Sequence, residues 1–408
     1  MNCRFDNRPL TEVFVDLGFS PPSNAFLTRE QLEGPEVYYP LKLYVSERTF
    51  LVQIAEYKKA ADIFTHDYAY FSSFSTTWLK HAEAYATMAA ARFGLGRNSQ
   101  VVEVASNDGY LLQYFQQQGI PVLGVEPSAN VAAAAQAKGI ETWVDFFGAD
   151  LARKLVSSGR QADLIAGNNV FAHVPDLNDF VVGLKIALKP QGVITLEFPH
   201  LLQLVEHNQF DTIYHEHFSY FSLHSAALVL RRHGLEVFDV DELPTHGGSL
   251  RVYARHMEDT TKPTSPQVAS LLAKENARDL CSLDYYRGFQ GKVNKVKDAF
   301  LRFLLERKAA GEKVAAYGAA AKGNTLLNYC GVRPDLLPFV VDASPHKQGK
   351  FLPGSHIPVV DESFIRSERP AFIVILPWNI QDEIIRQLSY ARDWGARFVV
   401  AIPQLTIL

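Results

Sequence analysis

An apolar run from Val101 to Val104 ends on the small-residue turn Ala105, Ser106, Asn107, Asp108, Gly109 and leads into a helical pattern. In open α/β sheets the crevice beyond the strands' carboxyl ends is where ligands bind, and a tight turn there lets backbone approach the ligand. Glu103 and Gly109 bracket that turn. Glu126, 23 residues after Glu103 and at the end of the next apolar run, suits an acceptor for ribose hydroxyls. Asp145 is placed for the adenine end. Gly-x-Gly-x-x-Gly is absent, which argues against a dinucleotide, because a pyrophosphate needs bare backbone at those glycines.

The surrounding pattern sets the fold class as α/β. After an Ala-rich helix at 81–93, apolar runs fall at 101–104, 122–125, 164–166 and 193–196, spaced for crossover helices and hence for a parallel sheet. Runs at 235–240 and 250–254 are too close for a crossover and are expected to pair antiparallel. Residues 1–65 read as a small β-rich N-terminal module with alternating segments at 38–44 and 49–54. Residues 267–310 read as long helices, and the α/β alternation resumes at 314–317, 339–342, 372–376 and 397–402 as a second Rossmann-like C-terminal domain. The expected division is therefore 1–65, 66–256 and 257–408, in keeping with a 408-residue chain too long for one core.

Forty Lys and Arg against 44 Asp and Glu leave a net charge of -4, which offers no footprint for nucleic acid or an anionic membrane. No apolar run approaches a membrane span or a signal-peptide core, so a cytoplasmic protein is expected. Cys3, Cys281 and Cys330 are too widely spaced for a disulfide framework or a self-contained zinc knuckle. A monomer or weak homo-oligomer is expected.

A second cluster, Tyr214, His215, Glu216 and His217, packs four proton-handling or hydrogen-bonding groups into four positions. Metal ligation there is not expected, because no third or fourth ligand sits at a recognisable spacing. Further segments complete an ordered series: Tyr68 to Ser73, Gly124 to Ser128, Asn168 to Pro175, His246 to Gly248, Tyr317 to Gly323 and Asp342 to Gln348. With these the chain resembles, over essentially its whole length, the sugar C-methyltransferases that act on nucleotide-linked 4-keto-deoxysugars.

The resemblance implies a class I methyltransferase Rossmann-like central domain that binds S-adenosylmethionine through Glu103, Ala105, Asn107, Gly109, Glu126, Pro127, Asp145, Asn168, Asn169 and Tyr70. It implies a catalytic group of His217, Tyr214, Glu216, His173 and Tyr68. A carbon beside a ketone becomes nucleophilic only when its proton is removed, and histidine has the side chain whose pKa lies nearest neutrality. His217 is thus the candidate base, with Tyr214 or His173 as donor to the enolate oxygen. The sugar nucleotide is expected at His246, Gly247, Tyr317, Lys322, Asn324 and Lys347, with the C-terminal domain gripping the diphosphate. Ring carbon 3 is the methylation site that the likeness implies.

Two departures stand out. The cofactor turn carries Ala105 and Asn107 where the usual pattern has glycines. Relatives generally begin with two Cys-x-x-Cys pairs that hold zinc, whereas here Cys3 stands alone, with Asp6, Ser46 and Thr49 in the other places. Hydroxyls replace thiolates poorly at a tetrahedral structural zinc, so no zinc is expected. O- or N-methylation of a sugar nucleotide, and a non-catalytic sugar-nucleotide-binding scaffold, remain as alternatives.

Overall fold

The computed structural model describes residues 1–57, 59 and 71–408. Tyr68 and Tyr70 lie outside the described residues. Among the described residues the strands form three sheets.

The chain begins with β1 (Glu12–Ser20), β2 (Tyr39–Val45) and β3 (Val52–Ile54), paired antiparallel in that order. The pairing of β1 shifts register twice, between Val13 and Val15 and between Asp16 and Phe19. Each bulge breaks the two-residue alternation by which a strand is read from sequence.

The central sheet uses β4 (Val101–Val104), β5 (Val122–Val125), β6 (Thr142–Trp143), β7 (Ala162–Asn168) and β8 (Leu188–Pro199), all parallel. The chain then adds β9 (Ser219–Tyr220) to the first sheet, where it pairs antiparallel with β3. The N-terminal sheet is therefore completed by a strand more than 150 residues away (219 − 54 = 165), which local periodicity cannot show. β10 (Leu235–Leu243) and β11 (Ser249–His256) form the expected antiparallel pair and join the central sheet through β8.

The resulting order, β10-β11-β8-β7-β4-β5-β6, is the class I methyltransferase arrangement. Strand order reverses at β4, with β5 on one side and β7 on the other, so a crevice opens beyond their carboxyl ends. A helix at Thr76–Phe93 packs beside it. Ser75 caps this helix by accepting the Trp78 N–H, and Gly94 ends it in the left-handed conformation.

The C-terminal domain is a six-stranded sheet of β12 (Val314–Tyr317), β13 (Val340–Val341), β14 (Val359–Val360), β15 (Phe372–Ile375), β16 (Arg397–Val400) and β17 (Thr406–Ile407). Its strands are parallel except β17. The helix Phe289–Ala309 joins it to the N-terminal sheet, and one apolar core runs through all three elements. Phe14 of β1 stacks on Phe289 of that helix with centroids 4.7 Å apart and meets the edge of Tyr286 at 5.6 Å. Docking onto this helix, as well as its own strands, holds the N-terminal module.

Phe14 is nearly inaccessible to solvent. Truncation to alanine is expected to cost about 3–5 kcal/mol, since it removes an aromatic ring from a packed core that cannot collapse around the void. Urea unfolding of Phe14→Ala against the unaltered protein measures that loss.

Candidate active site

One cavity of about 590 Å³ runs from the carboxyl ends of β4, β5 and β7 to the C-terminal domain. At its first end the turn after β4 takes three consecutive odd positions left-handed, with φ of 57° at Ala105, 50° at Asn107 and 77° at Gly109. That path is costly for residues with a Cβ, and it turns backbone amides toward the crevice. Gly109 is required where it stands, because a Cβ there would run into the Ile140 side chain.

The Asn107 N–H donates to one oxygen of Glu126 at 3.0 Å and the Ser128 N–H to the other at 2.8 Å. These bonds fix the carboxylate in the cavity wall beside Pro127. Asp145 and Phe146 line the same end. Asn168 and Asn169, at the end of β7, each carry a buried side-chain oxygen without a hydrogen-bond partner among the described residues. Glu103 does not reach the cavity. It is fully buried beneath the turn, and burial raises its carboxyl well above the usual range against the opposing bond from Tyr110.

The chemical end is built by residues 210–220. Phe210–Thr212 forms a short 3₁₀ turn whose Thr212 backbone acts on the His217 ring, favouring its charged form but not enough to offset burial. Burial, with the repulsion of His173, His246 and Lys322, holds the His217 pKa well below the ordinary histidine value. The ring lies 4.1 Å from Tyr214 and 4.6 Å from His173, centroid to centroid.

Burial pushes the His173 pKa down to about 4, against the opposing effect of the Glu216 backbone. Asn24, from the N-terminal module, donates to the Glu216 side chain at 2.8 Å.

A buried ionic cluster positions the opposite wall. Glu197, at the end of β8, accepts from Arg251 at 2.5 Å, from Thr245 at 2.9 Å and from His81 at 2.9 and 3.0 Å. Burial works to raise its carboxyl, but the His81 bond and the Arg251 charge outweigh that and hold it low. Through Thr245 the cluster anchors the loop carrying His246, whose Nε2 is 2.8 Å from the Asn169 amide. Gly247 follows with φ of 90°, and any side chain there would strike the Trp378 ring. Trp78 packs between His81 and His246, with centroids at 4.9 and 5.1 Å.

From the C-terminal domain, Lys322 and Lys347 line the cavity. Two expected substrate contacts are corrected by their placement. Tyr317 is packed in the C-terminal core with its hydroxyl on Gln387, away from the cavity. Asn324 is buried and donates to the Ser23 carbonyl at 2.6 Å, so it pins the loop bearing Asn24 from behind. Trp78, Asn24 and Thr212 line the site without having been expected there. Only Trp78 had a local signal, lying one turn ahead of the Ala-rich helix and on the face of His81.

Residues 78–240 match the family model "Methyltransferase domain" and residues 244–403 the model "C-methyltransferase C-terminal domain". C-methyltransferase NovU of Streptomyces niveus is 34% identical over 394 residues, spanning 97% of this chain and 93% of that protein. This chain belongs to the C-methyltransferase family. It is an S-adenosylmethionine-dependent C-methyltransferase. Solved structures similar to this C-methyltransferase include PH0226 protein from Pyrococcus horikoshii OT3, at 15% identity and TM-score 0.38 over 46% of this chain and 94% of that one. Another is magnesium protoporphyrin IX methyltransferase of Synechocystis PCC 6803 with bound SAM, at 15% identity and TM-score 0.34 over 43% and 78%.

Residues 3–64 of this C-methyltransferase match a model described as "Putative zinc binding domain". The side chains present do not fit a zinc ion. The buried Gln53 amide donates to the Cys3 sulfur at 3.2 Å and accepts from the Arg4 N–H at 2.8 Å. The Ser46 hydroxyl accepts backbone amides of Arg48 and Thr49 at 3.4 and 3.3 Å. Among the described residues no three His, Cys, Asp or Glu cluster to hold a metal.

The histidine shifts set a sign for acid stability. A base whose folded pKa is depressed is protonated first in the unfolded chain, so stability is lost as pH falls from the unfolded value of about 6.5 toward the folded one. At pH 5 His173 is expected to contribute a loss of at most about 2 kcal/mol. His173→Asn removes it, so the stability gap between variant and unaltered enzyme should move in the variant's favour by up to about that amount between pH 7 and pH 5. Denaturant titration at both pH values measures the change.

Proposed function

We propose that this C-methyltransferase moves the methyl group of S-adenosylmethionine onto the carbon beside the keto group of a nucleotide-diphosphate-linked 4-keto-deoxysugar, at ring carbon 3. The observation that carries this is the place of His217: a buried imidazole packed against Tyr214 and His173 in the same cavity as Glu126 and Asp145, where burial favours its neutral form and so a nitrogen lone pair. O- or N-methylation starts from a heteroatom that already has a lone pair and needs no carbon acid.

Bound S-adenosylmethionine supplies a methyl group made electrophilic by its sulfonium. Glu126 would receive the ribose hydroxyls, Asp145 and Phe146 would flank the adenine, and the unmet oxygens of Asn168 and Asn169 suit the methionine ammonium. His217 removes the proton beside the ketone, and the electron pair shifts onto the keto oxygen. The Tyr214 hydroxyl donates toward that oxygen. The enolate carbon would then take the methyl as its bond to the sulfonium sulfur breaks and S-adenosylhomocysteine leaves, and His217 returns its proton to solvent. Asn24 holds Glu216 in place at the border of the sugar pocket.

Residues 66–256 serve as the cofactor domain and 257–408 as the sugar-nucleotide domain in this reading, with Lys347 at the diphosphate. Lys347 donates to the Ala319 carbonyl at 2.9 Å and lies 5.6 Å above the Phe26 ring, at the outer part of the cavity. The N-terminal module works without zinc, with the Gln53 amide doing the cross-linking.

Incubation with S-adenosylmethionine and a panel of thymidine- and guanosine-diphosphate 4-keto sugars should yield one methylated on ring carbon, read by mass and carbon NMR. No methylated sugar from any of them would sink the proposal. His217→Asn should lower the rate by about 10²–10⁴, the usual contribution of a positioned base. Because the His217 pKa is depressed, kcat/KM should stay level as pH falls from 8 to the ordinary histidine value and decline only below it. Metal analysis of the purified enzyme should find less than one zinc per ten chains, and Gln53→Ala should lower Tm where chelator does not.

A further inference from the structure

Two lysines line the cavity, and their surroundings differ. Lys347 is 3.4 Å from the Asp342 carboxylate and bonded to the Ala319 carbonyl, so its charge is partly answered. Lys322 is held by a neutral oxygen, that of Asn379 at 2.6 Å, and lies 4.9 Å above the Trp378 ring. No carboxylate among the described residues comes within ion-pair distance of it. Asp211 is the negative group that acts on it, yet that carboxylate is itself buried, bonded to the Trp378 indole N–H at 2.7 Å, and raised by burial to about 6.

The position is also unfavourable in the helix. Lys322 is the second residue of Ala321–Cys330, where a cation faces the positive end of the helix dipole. Desolvation adds to the cost and lowers its pKa. A cation kept there against both effects has a use for a negative charge that comes and goes.

That charge arises in the reaction. The Trp378 ring under the Lys322 ammonium bonds Asp211, next to Thr212, and abuts Gly247, next to His246, which puts the ammonium at the chemical end of the cavity that His217 and His246 line. Burial favours the neutral form of His173, and the Glu216 carboxylate accepts from Asn24, so neither supplies positive charge. On the proposed function above, we infer that Lys322 is a catalytic residue whose ammonium stabilises the enolate oxygen as His217 takes the proton, and is not part of the diphosphate grip.

The balance is simple. The carbon–hydrogen bond breaks, its proton goes to His217 and its electron pair spreads onto the keto oxygen. Lys322 keeps its proton throughout and contributes only charge, worth more in a closed cavity than in water. When the carbon takes the methyl group, the ketone reforms and the ammonium returns to Asn379.

Deuterium exchange separates this step from methyl transfer. The enzyme is saturated with S-adenosylhomocysteine in D₂O, and the thymidine- or guanosine-diphosphate 4-keto sugar that the unaltered enzyme methylates is followed by proton NMR. Lys322→Met should slow deuterium entry beside the ketone by about 10²-fold, in the range for loss of one oxyanion donor. Its KM for the sugar nucleotide should change less than about threefold, and Lys322→Arg, which keeps the charge, should retain more exchange than Lys322→Met. Calorimetric titration with S-adenosylmethionine checks that each variant is folded. Should Lys322→Met fail that check, Asn379→Leu carries the test, with exchange expected to drop about tenfold as the ammonium loses its support.

Exchange that persists in the folded variant overturns the inference, as does a loss that appears as raised KM with kcat retained. Should the unaltered enzyme exchange no deuterium with the sugars, the proposed function fails and this inference with it. Exchange by the unaltered enzyme that survives in Lys322→Met removes this inference alone.

Discussion

The burial of the His217 ring, packed 4.1 Å from Tyr214 and 4.6 Å from His173, organises one end of the cavity. Burial favours the neutral ring, which keeps a nitrogen lone pair. The short turn Phe210–Thr212 beside it carries Asp211, bonded to Trp378 of the C-terminal domain. One segment of three residues therefore ties the wall beside His217 to the domain that faces it. In the proposed reaction burial would have a second consequence: an apolar setting that favours neutral imidazole would also penalise an enolate. A cation nearby would answer that problem while reinforcing the first effect, since the positive field of Lys322 further disfavours a charged His217.

The cavity is assembled by three parts of the chain, each supplying something the others lack. The switch in strand order at β4 opens the crevice, and in the left-handed turn that follows the Asn107 amide donates to Glu126. The C-terminal domain brings the lysines. The N-terminal module contributes Asn24 and Phe26, fixed through Ser23 by Asn324. Gln53 can act as the cross-link there because an amide both donates and accepts, joining Cys3, Arg4 and Leu51 around one side chain.

Much of this was legible beforehand. The strands at Val101–Val104, Val122–Val125 and Val314–Tyr317 have the bounds their apolar runs indicate, because strands buried on both faces read as near-continuous hydrophobic runs. Glu126 and Asp145, and the Tyr214 and His217 pair, stand in one cavity as their motifs indicate. The β1 strand was obscured by two bulges, and β9 by being only two residues long. Tyr317 and Asn324 share a motif with Lys322, but strand and helix geometry send the three side chains to different places: into the C-terminal core, behind the N-terminal loop and into the cavity.

What the sequence determined by itself is the class of fold, the cofactor turn and the inventory of acid–base groups, since each rests on spacing along a few residues. What tertiary structure alone decided is the state and purpose of those groups. Whether a histidine is held neutral depends on the groups buried around it, and around His217 these include His173, His246 and Lys322, which lie far from it along the chain. Whether a lysine grips a phosphate or faces a reacting carbon depends on which side chains surround its ammonium, and Asn379 and Trp378 lie more than 50 residues from Lys322 (378 − 322 = 56). Ionisation and hydrogen bonding answer to distance in space and to exclusion of water, and neither can be read from distance along the chain.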